Sequence, residues 1–403
     1  MSSSHKHNEN LFQKLDIPPP VSEATAHGIS PTLNHDERAR FNFEASLYKV
    51  ISKELSPGNE AVYNKRVRPK FEKSKGRLPE NRHEVRQAMN ADPYHNFWGA
   101  LRRNTMEMRQ VNGQFMTLRQ LDELAARSEK LNSGSERLTL DPSITVPAYV
   151  AEVDHHCMPG SYHRELIEGD VSPAANYDTG FFVTTTGSIG GLCDAAGHAI
   201  AEWIKTHDTS FKPKTILDIG SAVGNSIVPI ANIFPKAAIT AIDVSAPMLR
   251  YAHARATSLG AKNIHFKQMS GEDLSAFEDG EFDVVMTSIF LHELSSKSLP
   301  KIMKEMYRVL KKGGLMIHLE QPQYNADMPV FEQFMRDWDS YNNNEPFWSA
   351  MHNIDLTDLM LGLGFEKDNV WHAAMAGPSK QANEEAAEDH GRAAAWHAYV
   401  GKK

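Results

Sequence analysis

Asp218 ends the short apolar run Thr215-Ile-Leu-Asp218, and a turn of small residues follows it: Gly220, Ser221, Ala222 and Gly224, then Asn225. A strand that empties through glycines into a helix lets backbone come close to a ligand at the carboxyl end of a parallel sheet. Counted from Gly220, the dinucleotide fingerprint G-x-G-x-x-G requires glycine at 222 and 225, where Ala222 and Asn225 stand. An aspartate at the strand end faces a pyrophosphate unfavourably but accepts hydrogen bonds from an ammonium group. The turn therefore suits a nucleoside that carries an amino acid better than it suits NAD.

A second carboxylate follows at the expected distance. Ile239-Thr-Ala-Ile-Asp243 reads as a strand ending 23 positions after Gly220, where nucleoside-binding sheets keep an acidic residue for the ribose hydroxyls. Val244 comes next, and Met248 is spaced either to cover an adenine face or to join the core. After the following strand, Met269-Ser-Gly-Glu272-Asp273 offers Asp273, or a nearby backbone amide, to the adenine edge. Ser288 ends a fourth strand over the same cleft.

His292 is the candidate general base, because an imidazole takes a proton near neutral pH. Its plain alternative, shared with Glu293, is to begin or brace a helix. The group Asp154-His-His-Cys-Met-Pro-Gly-Ser-Tyr-His163 is denser. Three roles stand open for it: a substrate-pocket wall that presents Tyr162 and His163, structural packing, or a transition-metal site. On a strand, His155 and His156 would point to opposite faces and could not serve one ion. No residue is assigned to a metal.

The elements that position these groups alternate strand and helix after Pro213, the mark of a parallel sheet covered on both faces. Strands are predicted at 215–218, 238–243, 264–269, 282–288 and 314–320, with two late ones near 366–374 and 395–401. Helices are predicted near 226–234, 247–259, 298–310, 329–341 and 355–362. Residues 1–35 read as a flexible arm. Residues 36–190 read as a mainly helical substrate, lid or dimerisation domain, with β-leaning pieces at 138–140, 144–150 and 181–186. Residues 191–403 form the nucleoside-binding domain. The fold class is α/β: a doubly wound, Rossmann-like sheet with a helical N-terminal domain.

Of the 403 residues, 41% are hydrophobic and 23% charged, with a formal net charge of −8. That charge argues against a nucleic-acid or anionic-membrane partner. No apolar run reaches the roughly 20 residues of a membrane span. Two cysteines and a polar N-terminus lead to the expectation of a cytoplasmic protein.

Together the blocks LDIGSAVG, AIDVSAPML, SGEDL, FDVVMTSIFLHEL and LKKGGLMIHLEQP resemble class I S-adenosylmethionine-dependent methyltransferases, over about residues 213–403. The family loop is D-x-G-x-G-x-G, and Ala222 replaces its middle glycine. The resemblance implies S-adenosylmethionine as cofactor, with Asp218 and Gly220 at its methionyl end, Asp243 at the ribose and Asp273 at the adenine. It implies methyl transfer to an O, N, S or C atom; the large N-terminal domain points to a small or medium-sized metabolite as acceptor and is a candidate for homodimerisation. The alternatives are a non-methylating cyclisation or elimination that uses the same cofactor, and a non-catalytic regulatory subunit.

Overall fold

The computed structural model describes residues 17–376 and 396–403. Its eight described strands are β1 (Leu138–Thr139), β2 (Thr215–Ile219), β3 (Ala238–Asp243), β4 (Ile264–Gln268), β5 (Phe282–Ser288), β6 (Leu310–Leu319), β7 (Val370–Met375) and β8 (Trp396–Lys402). They form one sheet in the order β1-β4-β3-β2-β5-β6-β8-β7. β1 to β6 run parallel, while β8 lies antiparallel to both β6 and β7.

Alternation along the strands sorts the core into two layers. Ile216, Val284, Met286 and Ile317 face the layer that holds the Ala195–His207 and Ile227–Ile233 helices. Leu217, Ile219, Val285 and Met316 face the Ser298–Val309 and Leu356–Leu363 helices. Both faces are covered, so these strands read as nearly continuous apolar runs. β2 pairs with β3 on one side and β5 on the other. The chain order reverses there, and the carboxyl ends open into a crevice.

The first half of the chain is helical, as expected. Its longest helix, Pro93–Arg119, packs on the His35–Lys49 and Ser172–Thr184 helices. Wide turns at Val50–Leu55 and Tyr63–Val67 each precede a proline, Pro57 or Pro69, that lacks the N–H a regular turn requires. Leu138–Thr139 joins the sheet as its edge strand, beside β4, so the two halves share one sheet.

Several expectations differ. The Phe181–Thr186 piece read as β-leaning, yet residues through Thr184 lie in the Ser172–Thr184 helix. This helix is wedged between neighbours, with Ala174, Ala175 and Val183 fully buried. A Cβ on Gly180 would lie 1.8 Å from the Arg109 guanidinium. Tertiary burial there outweighs the β preference of Phe, Val and Thr. Residues 144–150 carry only the short Ala148–Ala151 helix after Pro147. Finally, residues 17–34 are packed rather than a free arm. Ile29 is wholly buried, His27 Nε2 meets Asp178 at 2.9 Å, and the Gly28 N–H donates to Ser258 Oγ at 3.0 Å. Residues 1–16 lie outside the described residues. No described helix is long and apolar enough to cross a membrane.

Candidate active site

A cavity of about 1030 Å³ lies between the carboxyl ends of the central strands and the N-terminal helices. Asp218, Gly220, Ser221, Asn225, Asp243, Val244, Met248, Ser288, His292 and Tyr162 all line it. From the first half of the chain it is walled by Trp98, Arg109, Tyr149, Tyr177 and Phe181 among others.

The β2 turn owes its shape to close approach. Gly220 sits at φ 75°, and a Cβ there would lie 2.3 Å from the Phe290 ring, so only glycine fits. Ala222, in place of the family glycine, also lies in the left-handed region at φ 44°. Its N–H donates to Asp243 Oδ2 at 2.9 Å, and the Ser245 N–H donates to Asp243 Oδ1 at 2.9 Å. These bonds partly offset the burial that raises the Asp243 carboxyl above its ordinary value. Burial and the neighbouring Asp243 charge push Asp218 up to about 7. Ser226, not singled out from sequence, holds Ser288 through an Oγ–Oγ bond of 3.1 Å.

Four expected residues do not line the cavity. Gly224, at φ 76°, packs toward Ala252 and Phe266. Glu272 and Asp273 line a separate surface groove, with Glu272 taking Lys301 at 3.1 Å and Asp273 accepting the Ser275 N–H at 2.9 Å. An Asx turn thus draws the Asp273 carboxylate outward, and Met269 and Gly271 line the cavity in its place. His163 is the fourth; burial lowers its pKa.

The other side of the cavity is built around carboxylates. His292 Nδ1 lies 2.7 Å from Glu320 Oε1. Burial disfavours its charged form, but Glu320 outweighs that and raises it to about 9. The Tyr162 hydroxyl donates to Glu293 Oε1 at 2.9 Å, and burial raises this phenol well above its usual range. His155 Nδ1 also reaches Glu293, and His156 Nδ1 lies 2.5 Å from Glu345 Oε1. The Glu293 and Glu345 carboxylates overcome the effect of burial and raise His155 to about 11.

The opposite-face argument for His155 and His156 does not hold. They occupy a 3₁₀ turn, His155–Cys157, and His156 has φ 52° and ψ 29°. That left-handed residue brings both rings to the same carboxylates. Cys157 is turned away, with its Sγ 3.7 Å from Asn343 Oδ1. Sequence reading missed Glu320 and Glu345 as site groups, and read Glu293 only as a helix start. Glu320 had a legible signal, a carboxylate at the carboxyl end of a strand as at Asp218 and Asp243. Glu345 lies in an irregular loop with no pattern to mark it.

A family model described as a methyltransferase domain matches residues 216–314. The ubiquinone/menaquinone biosynthesis C-methyltransferase UbiE of Vibrio vulnificus is 29% identical over 129 residues, covering 32% of this chain and 46% of the relative. A demethylmenaquinone methyltransferase of Symbiobacterium thermophilum is 29% identical over 182 residues, covering 43% and 62%. The chain thus spans about half the length of the curated relatives it matches. Among solved structures, a Haemonchus contortus phosphoethanolamine N-methyltransferase 2 with S-adenosyl-L-methionine matches at a TM-score of 0.41 and 16% identity, covering 56% of this chain and 57% of that one. Over residues 216–314 the chain carries a methyltransferase domain of the class I, S-adenosylmethionine-dependent kind.

Proposed function

We propose that the whole chain is a methyltransferase that transfers the methyl group of S-adenosylmethionine to a small or medium-sized metabolite, with residues 36–190 closing over residues 191–403. The observation that carries this reading is the cavity itself. It joins the β2 and β3 turns to a wall of N-terminal aromatic residues. Its 1030 Å³ is at or above the roughly 300–1,000 Å³ of a typical small-ligand pocket, which leaves room for cofactor and acceptor together.

The donor set fits the cofactor. The Gly220 turn admits backbone approach, Asp218 is suited to an ammonium group, and Asp243, already fixed by two N–H donors, is suited to ribose hydroxyls. The bound cofactor supplies an electrophilic methyl on a sulfonium, so the protein has mainly to orient the acceptor and exclude water. Tyr177 and Phe181 stack at 5.7 Å between ring centroids and, with Tyr162, give the acceptor side an aromatic wall. His292, oriented by Glu320, is the proton acceptor in this reading, and a sulfonium beside it favours the neutral imidazole that role requires.

The test is calorimetric titration with S-adenosylhomocysteine and with NAD, followed by a screen of acceptors for methylated product. Binding of the first and not the second is expected. Product formed without stoichiometric S-adenosylhomocysteine would replace methyl transfer with a cyclisation or elimination, and NAD binding alone would overturn the reading.

A further inference from the structure

His155, Glu293 and Glu345 are 1%, 9% and 1% exposed, and one ligand atom from each lies within 4.8 Å of the others. They come from three separate segments: the 3₁₀ turn at His155–Cys157, the Leu291–Glu293 turn after β5, and the loop before the Trp348–His352 helix. All three line the cavity.

The proton on His155 is placed by its second nitrogen. His155 Nε2 lies 2.8 Å from the Tyr149 carbonyl oxygen, which only accepts. Nε2–H is therefore the donor, and Nδ1 faces the carboxylates either through its own proton, as an imidazolium, or with the lone pair of a neutral ring. Carboxylates gathered around that nitrogen require a cation between them, the proton or a metal ion. Nδ1 lies against Glu293 Oε2 and 3.9 Å from Glu345 Oε2. Yet His155 Nδ1, Glu293 Oε2 and both Glu345 oxygens are buried with no aligned hydrogen bond. His156 adds a second imidazole, with Nε2 3.3 Å from Glu293 Oε1. So close an approach without hydrogen-bond alignment favours an ion over a proton as the shared centre.

We propose that His155 Nδ1, Glu293 and Glu345, with His156 completing the set, bind one divalent transition-metal ion at the acceptor end of the cavity. Imidazole with carboxylate is the donor set of Zn²⁺, Mn²⁺ or Fe²⁺, and thiolate is absent because Cys157 is turned away. Tyr149 then acts as the outer partner that fixes the ligand tautomer. The ion offers a coordination site to an acceptor with an ionisable oxygen or nitrogen, and it lowers the pKa of that group as it binds. This role for the acceptor rests on the methyltransferase reading; the ion site itself does not.

The purified full chain, stripped with EDTA, is titrated with Mn²⁺ followed by electron paramagnetic resonance of the free ion, and with Zn²⁺ by calorimetry. One equivalent of either ion should bind. Glu345→Gln and His155→Gln should each weaken that binding at least tenfold, with S-adenosylhomocysteine affinity unchanged in the same samples. Should those variants fail to fold, the wild-type chain decides: Mn²⁺ or Zn²⁺ raises its melting temperature, and EDTA reverses the rise. Wild-type protein that binds neither ion stoichiometrically overturns the proposal, as does equal binding by folded Glu345→Gln. Loss of S-adenosylhomocysteine binding with the metal retained would instead count against the cofactor reading alone.

Discussion

The two oxygens of Glu320 hold His292 and the turn that carries it: Oε1 lies 2.7 Å from His292 Nδ1, and Oε2 accepts the Leu291 N–H at 2.8 Å. One carboxylate thus orients the imidazole, whose Nε2 lies 3.9 Å from Glu293 Oε1 at the cavity wall. His292→Ala is expected to lower kcat by roughly 10²–10⁴-fold and leave S-adenosylhomocysteine affinity unaltered. Glu320→Gln, which keeps the shape but loses the charge, should lower kcat less. Steady-state kinetics on both variants check this. An unchanged kcat in His292→Ala returns that residue to a packing role.

Asp243 ties the β2 turn to the β3 turn through the Ala222 N–H and the Ser245 N–H. Asp243→Ala should weaken S-adenosylhomocysteine on the order of 100-fold, the loss of about two bonds to a charged group. Calorimetry measures it, and a change below threefold removes Asp243 from the ribose site.

Ala222 adopts φ 44°, a conformation that costs a residue with a Cβ about 1–2 kcal/mol. Ala222→Gly relieves that strain but also loosens the unfolded chain, so a net stabilisation of about 0.5–1 kcal/mol in urea unfolding is expected. A loss of stability would mean that the alanine methyl contributes packing greater than the strain.

The Asp218 carboxyl is raised from 3.8 to about 7 by burial and by Asp243. The folded state therefore binds the proton more tightly than the unfolded chain does. The stability this group contributes is complete below about pH 3.8 and is lost as pH rises toward about 7. Asp218→Asn should escape that loss and be more stable than the parent at pH 8 by roughly 1–4 kcal/mol, while binding cofactor more weakly. In the parent protein, S-adenosylhomocysteine affinity should rise from pH 6 to pH 8, because an ammonium group needs the ionised carboxylate. A flat profile would separate Asp218 from the ammonium.

Asp337 has a fully buried side chain that meets Arg82 Nε at 2.7 Å and Arg86 Nη2 at 2.6 Å, and it accepts the Tyr324 hydroxyl at 2.7 Å. It joins the N-terminal Arg82–Met89 helix to the chain after β6, and it sits where the helix expected over 329–341 divides into Val330–Arg336 and Trp338–Asn342. Asp337→Ala strands the buried Arg82 and the half-buried Arg86 and should cost about 3–5 kcal/mol. Chemical denaturation tests this, and a cost under 1 kcal/mol would show that water takes over the arginines.

Local pattern carries the sheet. A strand buried on both faces must be apolar, and a backbone approached closely must be glycine, so β2, β3, the Gly220 turn and the carboxylates Asp218 and Asp243 are all legible before any coordinates. The orientation of Asp273 was not legible, because an Asx turn to Ser275 decides it. Nor was the helix over Phe181 and Thr184, where tertiary burial overrides β preference. The group formed by His155, His156, Glu293 and Glu345 depends on segments up to 190 positions apart and on a turn with left-handed residues at His156 and Cys157. No spacing rule encodes such a meeting. Sequence alone therefore determined the β2–β3 corner of the cavity, whose contacts lie within a few short βα turns. Only the tertiary structure decided which histidines and carboxylates face the same part of the cavity, because their convergence is set by how distant segments pack.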